Sequence, residues 1–305
     1  MDQRSERLRA AIADAPAKTA TAAELRRLGP WLLERLIGRG SMSTIYQARP
    51  ADSGAQSARY AVKVLDAAWQ DQPLAIAFFR REAAIGRRVS HPHLISVLSA
   101  QIAAPPFYLV MPLLSGRMAD ERLARGELFS LPHALWIARQ TAEAAGAVHR
   151  AGYLHGDVKP GNLMITGEGH TTLLDLSLAR ELAETGSALD RPVVGTIHYL
   201  APELLTSTTR ADERSDLYSL GVTLFELLAG RPPFRVNSLE ELAHAQQHSD
   251  APDIRSLAPQ IPTPVADLVR RLMSRDPLRR PRQATEVVRE LIALEINTLA
   301  ERIPA

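Results

Sequence analysis

The pattern of apolar and polar positions changes character twice along this chain. Residues 1 to 28 are rich in Ala and Arg. Leu8, Ile12, Leu25 and Leu28 fall at loose helical spacing broken at Pro16, which predicts a partly helical or mobile extension, a solvated tail by default. From Trp31 the apolar runs shorten to strand length: Leu33 to Ile37, Thr44 to Ala48, Tyr60 to Leu65, Leu94 to Leu98 and Phe107 to Met111. Between the third and fourth runs, Ile76, Phe79, Ala83 and Gly86 recur at helical spacing and predict a helix from Leu74 to Arg88. A connector at Pro112 to Gly116 follows, and the period then turns mostly helical. Leu131 to Ala151 carries a stripe through Leu135, Ala138, Ala142, Ala145 and Val148. Ser215 to Ala229 reads as an apolar helix capped before Asp216 and stopped by Gly230 with Pro232 and Pro233 behind it. Pro264 to Met273 and Gln283 to Leu294 supply the last helices. Two short runs, Leu163 to Ile165 and Thr172 to Leu174, predict a β-hairpin. The expected class is α+β: a small five-stranded antiparallel sheet with one helix over 29–112, a larger mainly helical part over 113–300, and a tail at 301–305.

Composition narrows the function classes. The 305 residues carry a net charge of +2, so no strong field for nucleic acid is implied, although the pI is 9.1. There are no cysteines, which excludes disulfides, thiolate metal sites and cysteine nucleophiles and fits a reducing compartment. No apolar run approaches the ~18 residues of a membrane span, and the charged start Met-Asp-Gln-Arg-Ser-Glu-Arg lacks the apolar core of a secretory signal. The expected location is the cytoplasm. The 36 basic residues include only three lysines: Lys18, Lys63 and Lys159. In a chain that uses arginine nearly everywhere, a retained lysine marks a place for a compact, rotatable ammonium that a planar guanidinium does not replace.

Lys63 and Lys159 both fall among residues with chemical potential. The first two strands are joined by Gly38-Arg39-Gly40-Ser41-Met42-Ser43, a loop whose backbone N–H groups can lie over phosphates because glycine permits close approach. It lacks the following helix and third glycine of a dinucleotide site, and it is not a Walker loop. Lys63 lies among apolar neighbours in Tyr-Ala-Val-Lys-Val-Leu, and a buried ammonium needs a carboxylate. Glu82, within the next helical stretch, is the expected partner. Further on comes His155-Gly-Asp-Val-Lys-Pro-Gly-Asn162, and Asp175 follows thirteen residues later. The hairpin would gather Asp157, Lys159, Asn162 and Asp175 at one edge. Phosphoryl transfer needs such a set: one carboxylate to orient a hydroxyl, an amide and a second carboxylate to hold Mg²⁺, and a cation near the γ-phosphate.

In these motifs, their order and their spacing, residues 31 to about 294 strongly resemble a bacterial eukaryotic-type (Hanks-type) serine/threonine protein kinase. The resemblance implies a bilobal fold, ATP with Mg²⁺ (or Mn²⁺) as cofactor, and protein substrates. It assigns Ile37 to Ser43 to the phosphate-covering loop (Ile37, Gly38, Arg39, Gly40, Ser41, Met42 and Ser43) and Lys63, paired to Glu82, to the α- and β-phosphates. Ile45, Ala61 and Met164 match the apolar adenine slots and Met111 the gatekeeper. Pro112 to Leu114 match the hinge; Pro112 lacks an N–H, which leaves the Pro112 carbonyl and the Leu114 N–H for adenine. Asp157 matches the catalytic base, Lys159 the γ-phosphate lysine, and Asn162 and Asp175 the metal ligands. Thr196 matches the substrate-platform threonine. Glu203 would pair with Arg280, and Asp216 would brace the catalytic loop.

Four positions depart from the family pattern. Gly156 stands where the arginine that grips a phosphorylated activation loop is usual, so activity independent of loop phosphorylation is expected. Ser177 replaces the glycine of Asp-Phe-Gly, Ser43 replaces the last loop glycine, and Pro112 lies in the hinge. These departures feed a rival reading, a pseudokinase scaffold, against which Lys63, Glu82, Asp157, Lys159, Asn162 and Asp175 are all retained. A small-molecule kinase of similar fold is a third reading, opposed by the Ala-Pro-Glu segment and the Asp216 helix. Autophosphorylation, if any, is expected on Thr185 or Ser187. The histidines show no metal spacing.

Overall fold

The computed structural model describes residues 27–52, 60–182, 197–205 and 211–300. The extension up to residue 26, with Lys18, and the activation-segment hydroxyls Thr185, Ser187 and Thr196 lie outside the described residues. The chain divides into two compact units, one running to Ser90 and adding Ile95–Leu114, the other holding His91–Leu94 and everything from Ser115 onward.

The first unit is an antiparallel sheet of six strands among the described residues: β1 (Arg27–Leu28), β2 (Trp31–Arg39), β3 (Ser43–Pro50), β4 (Tyr60–Leu65), β5 (Ser99–Gln101) and β6 (Tyr108–Pro112), in the order β1-β2-β3-β4-β6-β5. Leu28, placed by its spacing in a helical tail, instead pairs with Trp31 across a turn at Gly29, adding a sixth strand to the five expected. One face of the sheet closes over Leu33, Ala48, Val62, Val64, Tyr108 and Val110. Helix α1 (Pro73–Arg88) buries Ala75, Phe78, Phe79, Glu82, Ala83, Ile85 and Gly86 along one stripe, while Ile76 is only half-buried. A Cβ at Gly86 would sit 2.6 Å from Val97 Cγ2, so only glycine admits this approach. The Gly86 carbonyl accepts the Val97 N–H at 2.9 Å.

The expected strand at Leu94 to Leu98 is a correction. Leu94, Ile95 and Val97 are buried, but the segment makes only one bridge, Leu94 to Leu173, and the strand itself forms at Ser99–Gln101. Its three buried apolar residues report burial alone, and a loop pressed into a core is buried as fully as a strand.

The second unit is mainly helical. It contains α2 (Ala119–Ala124), α3 (Leu131–Arg150), α4 (Glu213–Ala229), α5 (Leu239–His248), α6 (Thr263–Leu272) and α7 (Ala284–Ala300). The stripe foreseen on α3 is buried at every position, and α3 packs against both α4 and α7. Helix α4 starts at Glu213, two residues before the expected Ser215. Its cap is Asp212, whose side chain accepts the Arg214 N–H, and Gly230 at φ 74° closes it. A small sheet joins β7 (Arg117–Met118), β9 (Leu163–Ile165) and β10 (Thr171–Leu173) in the order β10-β9-β7. The β9–β10 hairpin pairs Leu163 with Leu173, so its second strand lies one residue earlier than the run predicted. A two-stranded ribbon pairs β8 (Tyr153–Leu154) with β11 (Arg180–Glu181). Among the described residues no helix is long and apolar enough to cross a membrane.

Candidate active site

Two groups of side chains are the candidates for the chemistry, one in each unit. In the first, β2 ends through Ile37, Gly38 and Arg39, and Gly40-Ser41-Met42 turn the chain into β3 at the buried Ser43. The turn is held by Gly40 N–H donating to Ser43 O (2.7 Å) and Asp66 N–H donating to Met42 O (3.0 Å). Thr44 Oγ1 donates to Asp66 Oδ1 at 2.6 Å. In the middle of the sheet, Lys63 pairs across to Ile45 on one side and Leu109 on the other. Its ammonium meets both carboxylate oxygens of Glu82, at 2.9 and 2.7 Å. Both residues are buried, Lys63 at 6% and Glu82 at 2% exposure, so each supplies the charge that makes the other's burial tolerable. Ala61 lies opposite Met111 and Pro112 opposite Tyr60; Leu114 follows, half-buried.

In the second unit, Asp157, Lys159 and Asn162 come together. Lys159 Nζ lies 2.7 Å from Asp157 Oδ2. Asn162 Nδ2 donates to the same oxygen at 2.7 Å and to the Asp157 carbonyl at 2.8 Å. Both partners can only accept, which fixes the carboxamide: its NH₂ faces Asp157, and its Oδ1 is the face left for a cation. Among the described residues, Asp157 Oδ1 accepts no hydrogen bond, which leaves one carboxylate oxygen for an incoming hydroxyl. Met164, in β9, pairs with Thr172 and Met118. Asp175 follows β10 directly in the left-handed region, φ 63°, and its Oδ1 accepts the Ser177 N–H at 3.1 Å. Aspartate tolerates that conformation better than most residues, at a cost of about 1–2 kcal/mol. One carboxylate plus one carboxamide oxygen suits Mg²⁺, which keeps few protein ligands and completes its shell with phosphates and water.

Asp216, at the start of α4 and 2% exposed, holds this loop from below. It accepts the backbone N–H of His155 (2.8 Å) and of Gly156 (2.8 Å), and His149 Nε2 donates to it at 2.7 Å. Burial alone pushes its carboxyl up, but the His149 contact and the Gly156 N–H hold it below the usual carboxylate range. His155 is fully buried and pushed down by that burial. Its Nε2 faces the Leu174 carbonyl (3.1 Å) and its Nδ1 accepts the Asp157 N–H (3.2 Å), so both ring nitrogens are satisfied in the neutral ring.

Gly156 has φ 76°, and a Cβ there would lie 2.7 Å from the Leu178 carbonyl oxygen. The usual arginine is therefore excluded by the backbone as it stands. Gly156→Arg is expected to lower stability by roughly 2 kcal/mol or more, measured by chemical denaturation. An unchanged midpoint would show that the loop can relax.

Glu203 and Arg280 form the expected pair, with oxygen-to-nitrogen distances of 2.7 and 2.8 Å. Close by, Tyr199 donates to Glu226 at 2.5 Å, a contact the sequence reading missed. It also missed His149, although His149 falls four residues after Ala145 and so shares the buried phase of α3. A polar residue at an apolar phase was the available signal.

Residues 31–291 match the family described as the protein kinase domain. The chain belongs to the protein kinase family. It is 29% identical over 240 residues to the probable serine/threonine-protein kinase PknB of Lactococcus lactis, covering 79% of this chain and 38% of that protein. It is 30% identical over 255 residues to PknD of Mycobacterium tuberculosis (83% and 38%). With PknH of Mycobacterium bovis it shares 32% over 254 residues (82% and 41%). The chain thus spans about two fifths of the length of these relatives, all named as serine/threonine-protein kinases.

Proposed function

We propose that this chain is an ATP-dependent serine/threonine protein kinase. The observation that carries the reading is the Asp157–Lys159–Asn162 group, in which one carboxylate oxygen is held by an ammonium and an amide while the other is open. In the reaction a substrate hydroxyl oxygen attacks the γ-phosphorus of ATP, the bond to the β,γ-bridging oxygen breaks, ADP leaves, and the hydroxyl proton passes to Asp157. Lys159 steadies the γ-phosphoryl oxygens, and Lys63, oriented by Glu82, holds the α- and β-phosphates. Glycine loop residues Gly38 to Ser43 cover the phosphates. In the first unit, Ile45, Ala61 and Met111 would flank adenine, and the Pro112 carbonyl and Leu114 N–H would bond its edge. Asn162 Oδ1 and Asp175 would hold a magnesium ion, which would supply positive charge against the phosphates. A scaffold role has no observation in its favour, since the buried Lys63–Glu82 pair is intact.

The test is transfer of labelled γ-phosphate to the chain itself and to a generic basic protein. Lys63→Met is expected to cut transfer by about 10²-fold or more, because it removes the phosphate contact and leaves Glu82 buried without its ammonium. Equal transfer from wild type and variant would refute the reading.

A further inference from the structure

Asp66 stands at the head of a short 3₁₀ turn, Ala67–Trp69, where an aspartate ordinarily accepts a backbone N–H of that turn. Its side chain makes no such cap bond. It reaches back instead to β3, where the buried Thr44 donates from Oγ1 to its Oδ1 at 2.6 Å, the short length typical of a hydrogen bond to a carboxylate. The main chain of the same residue turns the same way: Asp66 N–H donates to Met42 O at 3.0 Å. That bond prolongs the β3–β4 ladder past its last pair, Ser43 with Leu65, and onto the glycine loop itself. Within the loop Gly40 N–H donates to Ser43 O at 2.7 Å, which leaves Ser41 and Met42 at its tip. The residue just after β4 therefore grips the loop tip by its backbone and the loop's root, Thr44, by its side chain. The Asp66 carbonyl in turn accepts the Trp69 N–H at 2.9 Å, and Trp69 is buried, so the grip is itself seated in the core.

We infer that Asp66 is a positioning residue, one that holds the phosphate-covering loop in register with Lys63. Its consequence for ATP rests on the kinase reading; the grip itself rests on the hydrogen bonds alone. Thr44 lies opposite Val64, and Ile45 opposite Lys63, in an unbroken β3–β4 register. Side chains alternate between the two faces of a strand, so Thr44 and Val64 share one face with Asp66, and Lys63 lies on the other. Val64 belongs to the apolar cluster of that first face. Asp66 thus acts from behind the sheet and has no place among the groups assigned to ATP. Lys63, three residues upstream, is fixed by Glu82. With the loop tied to the end of the same strand, the loop N–H groups and the Lys63 ammonium meet the phosphates together. Glycine gives the loop a freedom that must be given up when it closes over a ligand. The tie removes part of that freedom beforehand, which strengthens ATP binding without altering the transfer step.

The test compares Thr44→Val with Thr44→Ser in the full chain. Valine has the shape of threonine and suits a place opposite Val64, but it cannot donate; serine keeps the hydroxyl. Thr44→Val is expected to raise KM for ATP about three- to tenfold, part of the worth of one hydrogen bond to a charged group, with kcat within about twofold of wild type. Thr44→Ser should lie within about twofold of wild type in both constants. A residue that merely supports the fold would lower the active fraction, and so kcat, and leave KM where it was. Hydrogen exchange at the Asp66 amide without nucleotide reads the grip by itself: about tenfold less protection in Thr44→Val, and wild-type protection in Thr44→Ser. If Thr44→Val does not fold, Asp66→Ala takes its part and Asp66→Asn, which keeps an acceptor for Thr44, takes that of the serine variant. An unchanged KM once the bond is gone, or a raised KM that the conservative variant does not restore, overturns the assignment. A wild type that transfers no phosphoryl group refutes the kinase reading instead. The exchange comparison then decides the grip: protection lost only where the bond is gone supports it, and equal protection in both variants overturns it.

Discussion

Replacing Asp157 with Asn is expected to lower kcat by about 10²–10⁴-fold, with KM for ATP within about threefold of wild type. The split follows from where the atoms are. Asp157 Oδ2 is bound by Lys159 and Asn162, so the oxygen that would meet a substrate hydroxyl is Oδ1. A carboxamide cannot take the hydroxyl proton, and it removes the negative charge that holds the Lys159 ammonium at 2.7 Å. The Lys63–Glu82 pair belongs to the other unit and keeps its geometry, so nucleotide affinity should survive. Asn is close in shape to Asp, which limits the structural change. Steady-state kinetics at saturating peptide separates the two constants. A kcat within about threefold of wild type would remove Asp157 from the role of base.

Much of this candidate site is legible in the sequence because it is written in residue types that have few alternatives. In a chain with three lysines, an ammonium among Val62, Val64 and Leu65 needs an acid one helix away, and Glu82 is the acid that α1 turns inward. The pairing of Glu203 with Arg280, 77 positions apart, came from family resemblance and not from spacing. What escaped the reading was local geometry. No pattern in the sequence reveals that Gly156 is left-handed and pressed against Leu178, because glycine is compatible with every backbone region. The Leu94 to Leu98 run was misassigned for the opposite reason: Leu94, Ile95 and Val97 are buried without a ladder, and periodicity reads burial alone. Short α2, of six residues, is too brief for a helical period to declare itself.

Arg280→Leu is expected to destabilise the second unit by about 3–5 kcal/mol, the largest stability effect of any single substitution considered. Arg280 and Glu203 have side chains 0% and 4% exposed, so the carboxylate left behind stays in a dry site with its guanidinium gone. Ser215 Oγ still donates to it at 2.8 Å, a neutral contact that does not replace the guanidinium's charge. The guanidinium also ties three backbone carbonyls, Ser274 at 2.7 Å, Arg214 at 3.0 Å and Arg275 at 3.3 Å, and lies over the Tyr218 ring at 4.8 Å. One substitution therefore unpins the Pro202–Leu205 turn, the start of α4 and the approach to α7 together. Leucine restores some apolar contact with Tyr218 but none of these bonds. At about 2–4 °C per kcal/mol for a protein of this size, the melting midpoint followed by circular dichroism should fall by roughly 6–20 °C. Glu203→Gln should cost less than Arg280→Leu, because the carboxamide still accepts from Arg280 and the three carbonyls remain bonded. A melting midpoint for Arg280→Leu within about 2 °C of wild type would mean that the pair's desolvation cost nearly cancels its attraction, and that the segment is held by the apolar contacts around it.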